Sequence, residues 1–293
     1  MINKKEIKDK INSIQSTKKI TQAMEMISII KIKKLQLESE KITPFLNILT
    51  KVVKNLFFLS QIKKEKNIFF VKKNINKILF IIILSTKGLC GSLNGNLFKK
   101  FFYYFNNFVK KKTQFEIIIL GKKNKIFLKT FKKNISIFNT IFYKNFNITN
   151  VFEFSKNLLK KYQLNKINEI FIIFNKFKNK TNYLPTIEKL LPFECFKKNS
   201  KKFFKSWDYI YESNSYLLHK KILYKFFKMK LYNCILENLI CENSSRMLVM
   251  KNATESSSNI VKELKFTYNK ARQYNITQEL IEIISGASAV LMD

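Results

Sequence analysis

Apolar residues in the first sixty positions recur with the spacing of an amphipathic helix. They follow one another at intervals of three and four within three groups: Ile7, Ile11 and Ile14; Ile20, Met24 and Ile27; and Ile42, Leu46, Leu49, Val53 and Leu56. Such spacing is that of a coiled-coil seam. Thr43 followed by Pro44 resembles a helix N-cap with proline in the first helical position, so we expect a kink or a restart of the helix there.

The middle of the chain changes to short apolar runs separated by segments of helical length. Ile78–Leu84 is continuously apolar and rich in isoleucine, as expected of a strand buried on both faces. Ile117–Leu120 and Ile167–Phe174 are the second and third predicted strands. Helical stretches around Phe98–Val109 and Phe152–Tyr162 lie in the two gaps between the strands. This alternation predicts a small, mostly parallel sheet with right-handed crossovers, which is a Rossmann-like α/β domain.

A second long helix is predicted from about Ser206 nearly to the end of the chain. Its coiled-coil spacing, which we expect to face a partner helix, covers these positions: Ile260, Leu264, Thr267 and Ala271, then Ile276, Leu280, Ile283, Ala287 and Val290. About 80 helical residues span ~120 Å, far more than a small domain needs. We therefore expect the terminal helices, residues 1–60 and 206–293, to form a long antiparallel coiled coil that carries an inserted α/β domain at residues 75–200.

The chain carries a formal net charge of +35, which requires an explanation. A nucleic-acid-binding protein is the first alternative, because neutralisation of phosphates by Lys and Arg dominates such binding. Only Arg246 and Arg272 are arginines, however, and the lysines are spread over the whole length instead of forming one stripe. Lys, Asn, Ile and Phe share AT-rich codons, so an AT-biased genome accounts for the charge, and we expect no nucleic-acid partner.

Residues suited to catalysis or metal binding are few. The four cysteines contain no C-x-x-C pair and His219 is the only histidine, which disfavours zinc sites and Ser-His-Asp catalysis. A nucleotide-dependent enzyme, the second alternative, needs a phosphate loop, and Ser85–Gly95 matches no such motif, so we interpret it as a tight βα turn. We expect no cofactor and no metal. The longest apolar run, Ile78–Leu84, is far short of the ~20 residues that cross a bilayer, so we expect no transmembrane segment.

Several segments resemble motifs of the gamma subunits of F-type ATP synthases. Ile20–Met26 is similar to the N-terminal helix motif of that family, and three C-terminal segments are similar to its C-terminal signature: Met247–Thr254, Tyr268–Gln273 and Ile276–Leu280. Shorter landmarks follow in the family's order: Leu89–Gly91, Asn175–Phe177, Pro185–Ile187 and Ser206–Tyr209. The resemblance covers essentially the whole chain. One departure is that Lys87 stands alone where the family usually carries an acidic and a basic residue.

This resemblance implies a mechanical role. The chain would be the central rotor shaft that couples ion flow through the membrane c ring to ATP synthesis or hydrolysis at the alpha-beta hexamer. It would be a non-catalytic subunit, peripheral on the cytoplasmic face of the bacterial inner membrane. Its expected partners are the alpha and beta subunits, the epsilon subunit and the c ring, with neither a nucleic acid nor a transmembrane segment of its own.

Motif positions carried over from the family also imply site residues. Contacts between the rotor and the surrounding subunits are expected at six positions: Met24, Arg246, Arg272, Gln273, Thr277 and Glu279. Tyr209 and Glu212 match the foot of the shaft, near the c ring. The small residues Gly286–Ala289 make a slender helix end that would fit inside a collar of other subunits.

Overall fold

The computed structural model describes most of the chain. The described residues are 4–62, 69–70, 77–109, 114–121, 135–137, 148–179, 182–193 and 215–290. They form four helices and five strands in this order: α1 (Lys4–Ile62), β1 (Lys77–Ile83), α2 (Leu93–Val109), β2 (Gln114–Leu120), β3 (Ile135–Ile137), α3 (Ile148–Gln163), β4 (Glu169–Phe177), β5 (Tyr183–Leu191) and α4 (Ser215–Val290). Their contacts divide the chain into two compact units, residues 1–30 with 246–293 and residues 31–245. The division into segments expected from the sequence stays a prediction.

One mixed sheet with the strand order β3-β2-β1-β4-β5 forms the centre of the second unit. β1 is parallel to both neighbours, so that Ile81 lies beside Ile118 of β2 and Ile172 of β4. β5 runs antiparallel to β4 and places Ile187 beside Ile173. The predicted fold class, two long terminal helices with an inserted, mostly parallel α/β domain, is confirmed.

Both faces of β1 are buried, which explains its unbroken apolar sequence. Every side chain from Ile78 to Ile83 has an exposed fraction of 0%. Alternate residues beginning with Leu79 pack with α3 and α4, whereas those beginning with Ile78 pack with α2. Successive side chains of a strand point to opposite faces, so helices on both sides require apolar residues at every position.

Phe80 is the centre of the core between the sheet and α2. Its ring centroid lies 5.7 Å from Phe101, 6.0 Å from Phe105 and 5.7 Å from Phe171. Aromatic pairs at such separations add to the stabilisation that comes from the buried area alone.

The N-terminal helix does not restart at Pro44, contrary to the expectation from the sequence. α1 is continuous from Lys4 to Ile62, and the Thr43 hydroxyl donates to the carbonyl of Ser39, 2.7 Å away, so Thr43 is not an N-cap. Proline removes one donor, so the carbonyl of Glu40 lacks its usual helical partner. Glu40 and Pro44 are both exposed, and water can satisfy that carbonyl.

The C-terminal helix is one element of 76 residues, about 114 Å long for an ideal α-helix. Between Leu223 and Ser245 it contributes most of its side chains to the core beneath the sheet. In the other unit, most of its side chains beyond Met250 are exposed. The predicted start at Ser206 lies outside the described residues.

Replacing Phe80 by alanine should destabilise the α/β domain by about 3–5 kcal/mol, because it removes a fully buried ring and leaves a cavity. Urea unfolding followed by circular dichroism measures the change. Tyr103→Ala is the matched control, since this aromatic residue of α2 is 74% exposed and should change the unfolding free energy little. Equal effects of the two substitutions would contradict the described core.

Candidate functional site

The carboxyl ends of β1 and β4 form the place where an open α/β sheet usually binds a ligand. The chain leaves β1 toward one edge for β2 and β3, and then returns to the other side of β1 for β4. Ligands of such sheets bind outside the carboxyl ends of the strands, where the order reverses. In this chain, side chains of α4 occupy that position.

Glu242 of α4 places its carboxylate on the backbone that follows β1. One oxygen, Oε2, accepts the amide of Thr86 at 3.0 Å, and Oε1 accepts the Thr86 hydroxyl at 2.7 Å and the Lys87 amide at 3.2 Å. The Glu242 side chain is 1% exposed. Consecutive amides in a strand-to-helix turn are donors that suit a phosphate or carboxylate. Here the anion comes from the chain itself.

The turn that receives Glu242 is fixed by its own hydrogen bonds. The amide of Ser85 donates to Asn94 Oδ1 at 3.1 Å, and Asn94 Nδ2 donates to the Ser85 hydroxyl at 2.7 Å. Leu89 and Gly91 have φ values of 60° and 56°, in the left-handed region. A non-glycine residue such as Leu89 adopts that conformation only where its surroundings hold it there. The segment is thus the tight βα turn that the sequence predicts.

Two further polar contacts of α4 reach the same edge of the sheet. Asn238 Oδ1 accepts the backbone amide of Asn175, at the end of β4, at 3.0 Å. The Ser245 hydroxyl donates to the carbonyl of Cys90, 2.6 Å away. Positions 238, 242 and 245 are separated by four and three residues and therefore share one face of the helix. This set, Asn238, Glu242 and Ser245 with their partners, is called the polar joint below.

Sequence reasoning missed the polar joint. Each contact connects residues far apart in the chain, and the interval between Glu242 and Thr86 is 156 positions. A signal was present, because Asn238, Glu242 and Ser245 form a helical row of polar residues within a segment that is otherwise apolar enough to be buried. Buried polar side chains are normally hydrogen-bonded, so such a row indicates partners elsewhere in the fold.

In the other unit, α1 and α4 lie side by side and run antiparallel. The hydroxyls of Thr21 and Thr254 are 2.8 Å apart, and Lys18 Nζ donates to the Ser258 hydroxyl at 3.2 Å. At the start of α1, Lys4 lies over the ring of Tyr268, 5.9 Å from its centroid. The described part of α1 therefore begins level with Tyr268 of α4. From Tyr268, α4 continues past the start of α1 to residue 290.

The last turns of α4 expose a row of large apolar side chains. Ile276, Leu280 and Ile283 are 48%, 54% and 67% exposed. The expectation that this seam faces the partner helix was wrong for the described residues. Its spacing is that of a coiled coil, but the described part of α1 begins level with a residue eight positions earlier in α4. We call Tyr268 to Val290 the α4 tip.

The expected contact residues fall into separate groups. Arg272, Gln273, Thr277 and Glu279 are exposed on the α4 tip, and the Thr277 hydroxyl donates to the carbonyl of Gln273 at 2.9 Å. Arg246 is 6% exposed and lies on α4 about 39 Å from Arg272 along an ideal helix.

Met24 lies on α1 and is half-buried. Tyr209 and Glu212 lie outside the described residues. The structure thus does not bring the expected residues into one cluster, and their assignment as contact residues stays a prediction.

Two negative observations apply to the part of the chain that the structure describes. No group of three or more His, Cys, Asp and Glu side chains is arranged so that it could hold a metal ion. No helix there is both long enough and apolar enough to cross a membrane.

Comparison with known proteins adds independent information. The family model described as ATP synthase matches residues 3–290. The ATP synthase gamma chain of Buchnera aphidicola subsp. Schlechtendalia chinensis is 42% identical over 295 residues, which cover 99% of both chains. The gamma chain of the subspecies Diuraphis noxia is 41% identical, again over 99% of both chains. The chain belongs to the ATP synthase gamma chain family. The resemblance inferred from its motifs is confirmed, and as a gamma chain it is a subunit of that complex.

Solved structures support the same fold. A structure of the mitochondrial ATP synthase of Euglena gracilis, described as OSCP/F1/c-ring, includes a chain with a TM-score of 0.62 and 16% identity. The match covers 98% of this gamma chain and 94% of that chain. The central stalk and c-ring structure of Tetrahymena thermophila gives a TM-score of 0.60 at 24% identity, covering 80% and 99%. At these identities the likeness concerns the fold.

Two buried cysteines of the gamma chain, Cys234 and Cys241, have raised thiol pKa values. Burial raises the pKa of Cys234 well above its usual value, and the Glu188 carboxylate adds to the shift. Burial likewise raises the pKa of Cys241, whose thiol donates to the carbonyl of Asn175 at 3.3 Å. The thiolate is the reactive form, so a raised pKa leaves little of it at neutral pH.

In a Cys195→Ser background, we expect alkylating reagents at pH 8 to label Cys234 and Cys241, which combine burial with a raised pKa, at least tenfold more slowly than an exposed thiol. Burial alone should also slow the labelling of Cys90. Glu255→Cys, on an exposed part of α4, supplies that reference. Mass spectrometry of timed samples measures both rates, and unfolding in urea should make all sites react equally. Fast labelling of Cys241 in the folded protein would contradict its described burial.

Proposed function

We propose that this gamma chain is the central rotor shaft of an F-type ATP synthase. It couples ion flow through the membrane c ring to ATP synthesis or hydrolysis at the alpha-beta hexamer. The observation that carries the proposal is the α4 tip, a helix end that extends past the described start of α1 with its apolar side chains exposed. Family membership supports the same role.

The α4 tip is suited to a surrounding apolar collar. Five isoleucine and leucine side chains there are roughly half to two-thirds exposed: Ile276, Leu280, Ile281, Ile283 and Ile284. Exposed apolar surface of this kind marks an interaction site. At 100° per residue these five side chains lie within about 160° of the helix circumference, so they form one broad apolar side of the tip. A sleeve formed by the alpha and beta subunits would cover that side.

Six residues are proposed as contacts with the surrounding subunits: Met24, Arg246, Arg272, Gln273, Thr277 and Glu279. The four residues on the α4 tip are exposed and can reach a neighbouring subunit directly. Tyr209 and Glu212 are proposed for the foot, where the epsilon subunit and the c ring would bind.

The chain is proposed to have no active site of its own, and nucleotides would be bound and hydrolysed by other subunits. The polar joint supports this, because the Glu242 carboxylate already engages the amides that a nucleotide phosphate would need. A nucleotide-dependent enzyme built on the same sheet would have to displace a buried anion. The subunit would be peripheral, on the cytoplasmic face of the bacterial inner membrane.

Arg272 and Gln273 provide the test of the proposed contacts. Arg272→Lys keeps the charge but loses the planar fork of donors, and Gln273→Leu keeps approximate size but loses the amide. A typical hydrogen bond contributes about 0.5–1.5 kcal/mol net, and each substitution weakens a contact without removing the whole side chain, so we expect each to lower ATPase turnover of the assembled complex roughly 2- to 10-fold. Steady-state ATPase assays measure the loss, and nucleotide affinity of isolated beta subunits should not change.

Asn259→Leu is the matched control for Gln273→Leu. It makes the same kind of amide-to-leucine change at an exposed position of α4 outside the family signature. If both residues serve one contact, the double variant should lose less than the product of the two single losses. Wild-type turnover in both single variants, with normal assembly, would show that these residues are only a solvated helix face.

A further inference from the structure

The polar joint has a geometry that suits it to a mechanical task, if the chain is the proposed rotor shaft. We propose that Glu242 is a positioning residue that locks α4 against rotation about its own axis relative to the α/β domain. Torque between the c ring and the head would then pass through this contact instead of being lost by slippage.

Hydrogen bonds define the rotation of a packed helix more sharply than apolar packing does. Apolar residues of α4 beside the joint, among them Leu236, Leu239 and Ile240, are fully or almost fully buried. Hydrophobic burial itself is non-directional, so the rotation of α4 is set by the interdigitation of its core side chains together with the hydrogen bonds of the joint. Hydrogen bonds depend steeply on distance and angle, and a turn by one residue position moves a side chain by about 100°.

The polar joint holds α4 at three points along one face. Asn238 is fixed to Asn175 near the end of β4, Glu242 to the turn that follows β1, and Ser245 to the carbonyl of Cys90 before α2. The seven positions from Asn238 to Ser245 span about 10 Å of an ideal helix. Directional bonds at these three points, one on β4 and two on the turn between β1 and α2, therefore resist both rotation and sliding of the helix.

Glu242 is the central member of the joint. Its carboxylate accepts three hydrogen bonds from Thr86 and Lys87 in a position that is 1% exposed. Bonds to an ionised acceptor are shorter and stronger than neutral ones, and the Glu242 side chain is shielded from water. The turn that contains Thr86 and Lys87 is itself fixed by the reciprocal hydrogen bonds of Ser85 and Asn94. The contact with Glu242 therefore joins two well-ordered segments.

The test uses the whole ATP synthase complex reconstituted in vesicles, with Glu242→Gln in this chain. The amide offers one acceptor oxygen where the carboxylate offers two. We expect ions pumped per ATP hydrolysed to fall at least twofold, so that pumping is impaired beyond any loss of hydrolysis. We also expect the amide hydrogens of Thr86 and Lys87 to exchange at least tenfold faster. Glu153→Gln, the same change at an exposed position of α3, should alter neither quantity.

A second pair of variants keeps the test decisive if Glu242→Gln does not assemble. Thr86→Val removes only the hydroxyl bond to Glu242 and should lower the number of ions pumped per ATP hydrolysed. Thr86→Ser retains the hydroxyl and should keep the wild-type number. Faster amide exchange with an unchanged pumping ratio would show that Glu242 is merely structural and would overturn the proposal. Hydrolysis and pumping that fall in equal proportion would overturn it as well.

Failure of the lock can be distinguished from failure of the proposed function. If the wild-type complex pumps ions with this chain bound, and Glu242→Gln pumps with the same ratio, only the lock is wrong. If active complex assembles and pumps without this chain, the rotor role itself is wrong.

Discussion

The packing of α4 across the carboxyl edge of the sheet is the constraint on which the rest of the structure depends. One helix supplies core residues from Leu223 to Ser245 and then continues without interruption to the exposed tip. The same element therefore belongs to the body of the α/β domain and to the slender helix pair. A helix of this length is kept by tertiary packing along one part of it, because helical propensity contributes little per residue.

This constraint also explains how a Rossmann-like sheet suits the proposed mechanical function. Fold alone does not decide function, which depends on what occupies the site that the fold offers. Here the site at the ends of β1 and β4 receives Glu242 and Asn238 from within the chain. The place where a related architecture would bind a ligand becomes the attachment of a helix. The high positive charge requires no nucleic-acid partner in this account, since the family and the fold identify a subunit of ATP synthase.

Much of the fold could be predicted from the sequence because local patterns carry it. The run Ile78–Leu84 indicated a strand covered on both faces, and periodic apolar residues indicated the two long helices. The expected restart of the helix at Pro44 was wrong, because a proline on the solvent-facing side of a helix leaves a carbonyl that water can satisfy. The expectation that Ile276 faces the partner helix was wrong, because spacing reveals an apolar stripe but not whether the partner helix extends far enough to cover it. Glu242 went unnoticed because its partners are more than 150 positions away in the chain.

Direct observation of rotation tests the central claim. The alpha-beta head would be immobilised, a probe fixed to an exposed position of the foot of this chain, and ATP added while single molecules are recorded. The account predicts that the probe turns repeatedly in one direction for as long as ATP is hydrolysed. A chain that stays fixed relative to the head while the complex hydrolyses ATP would contradict the account.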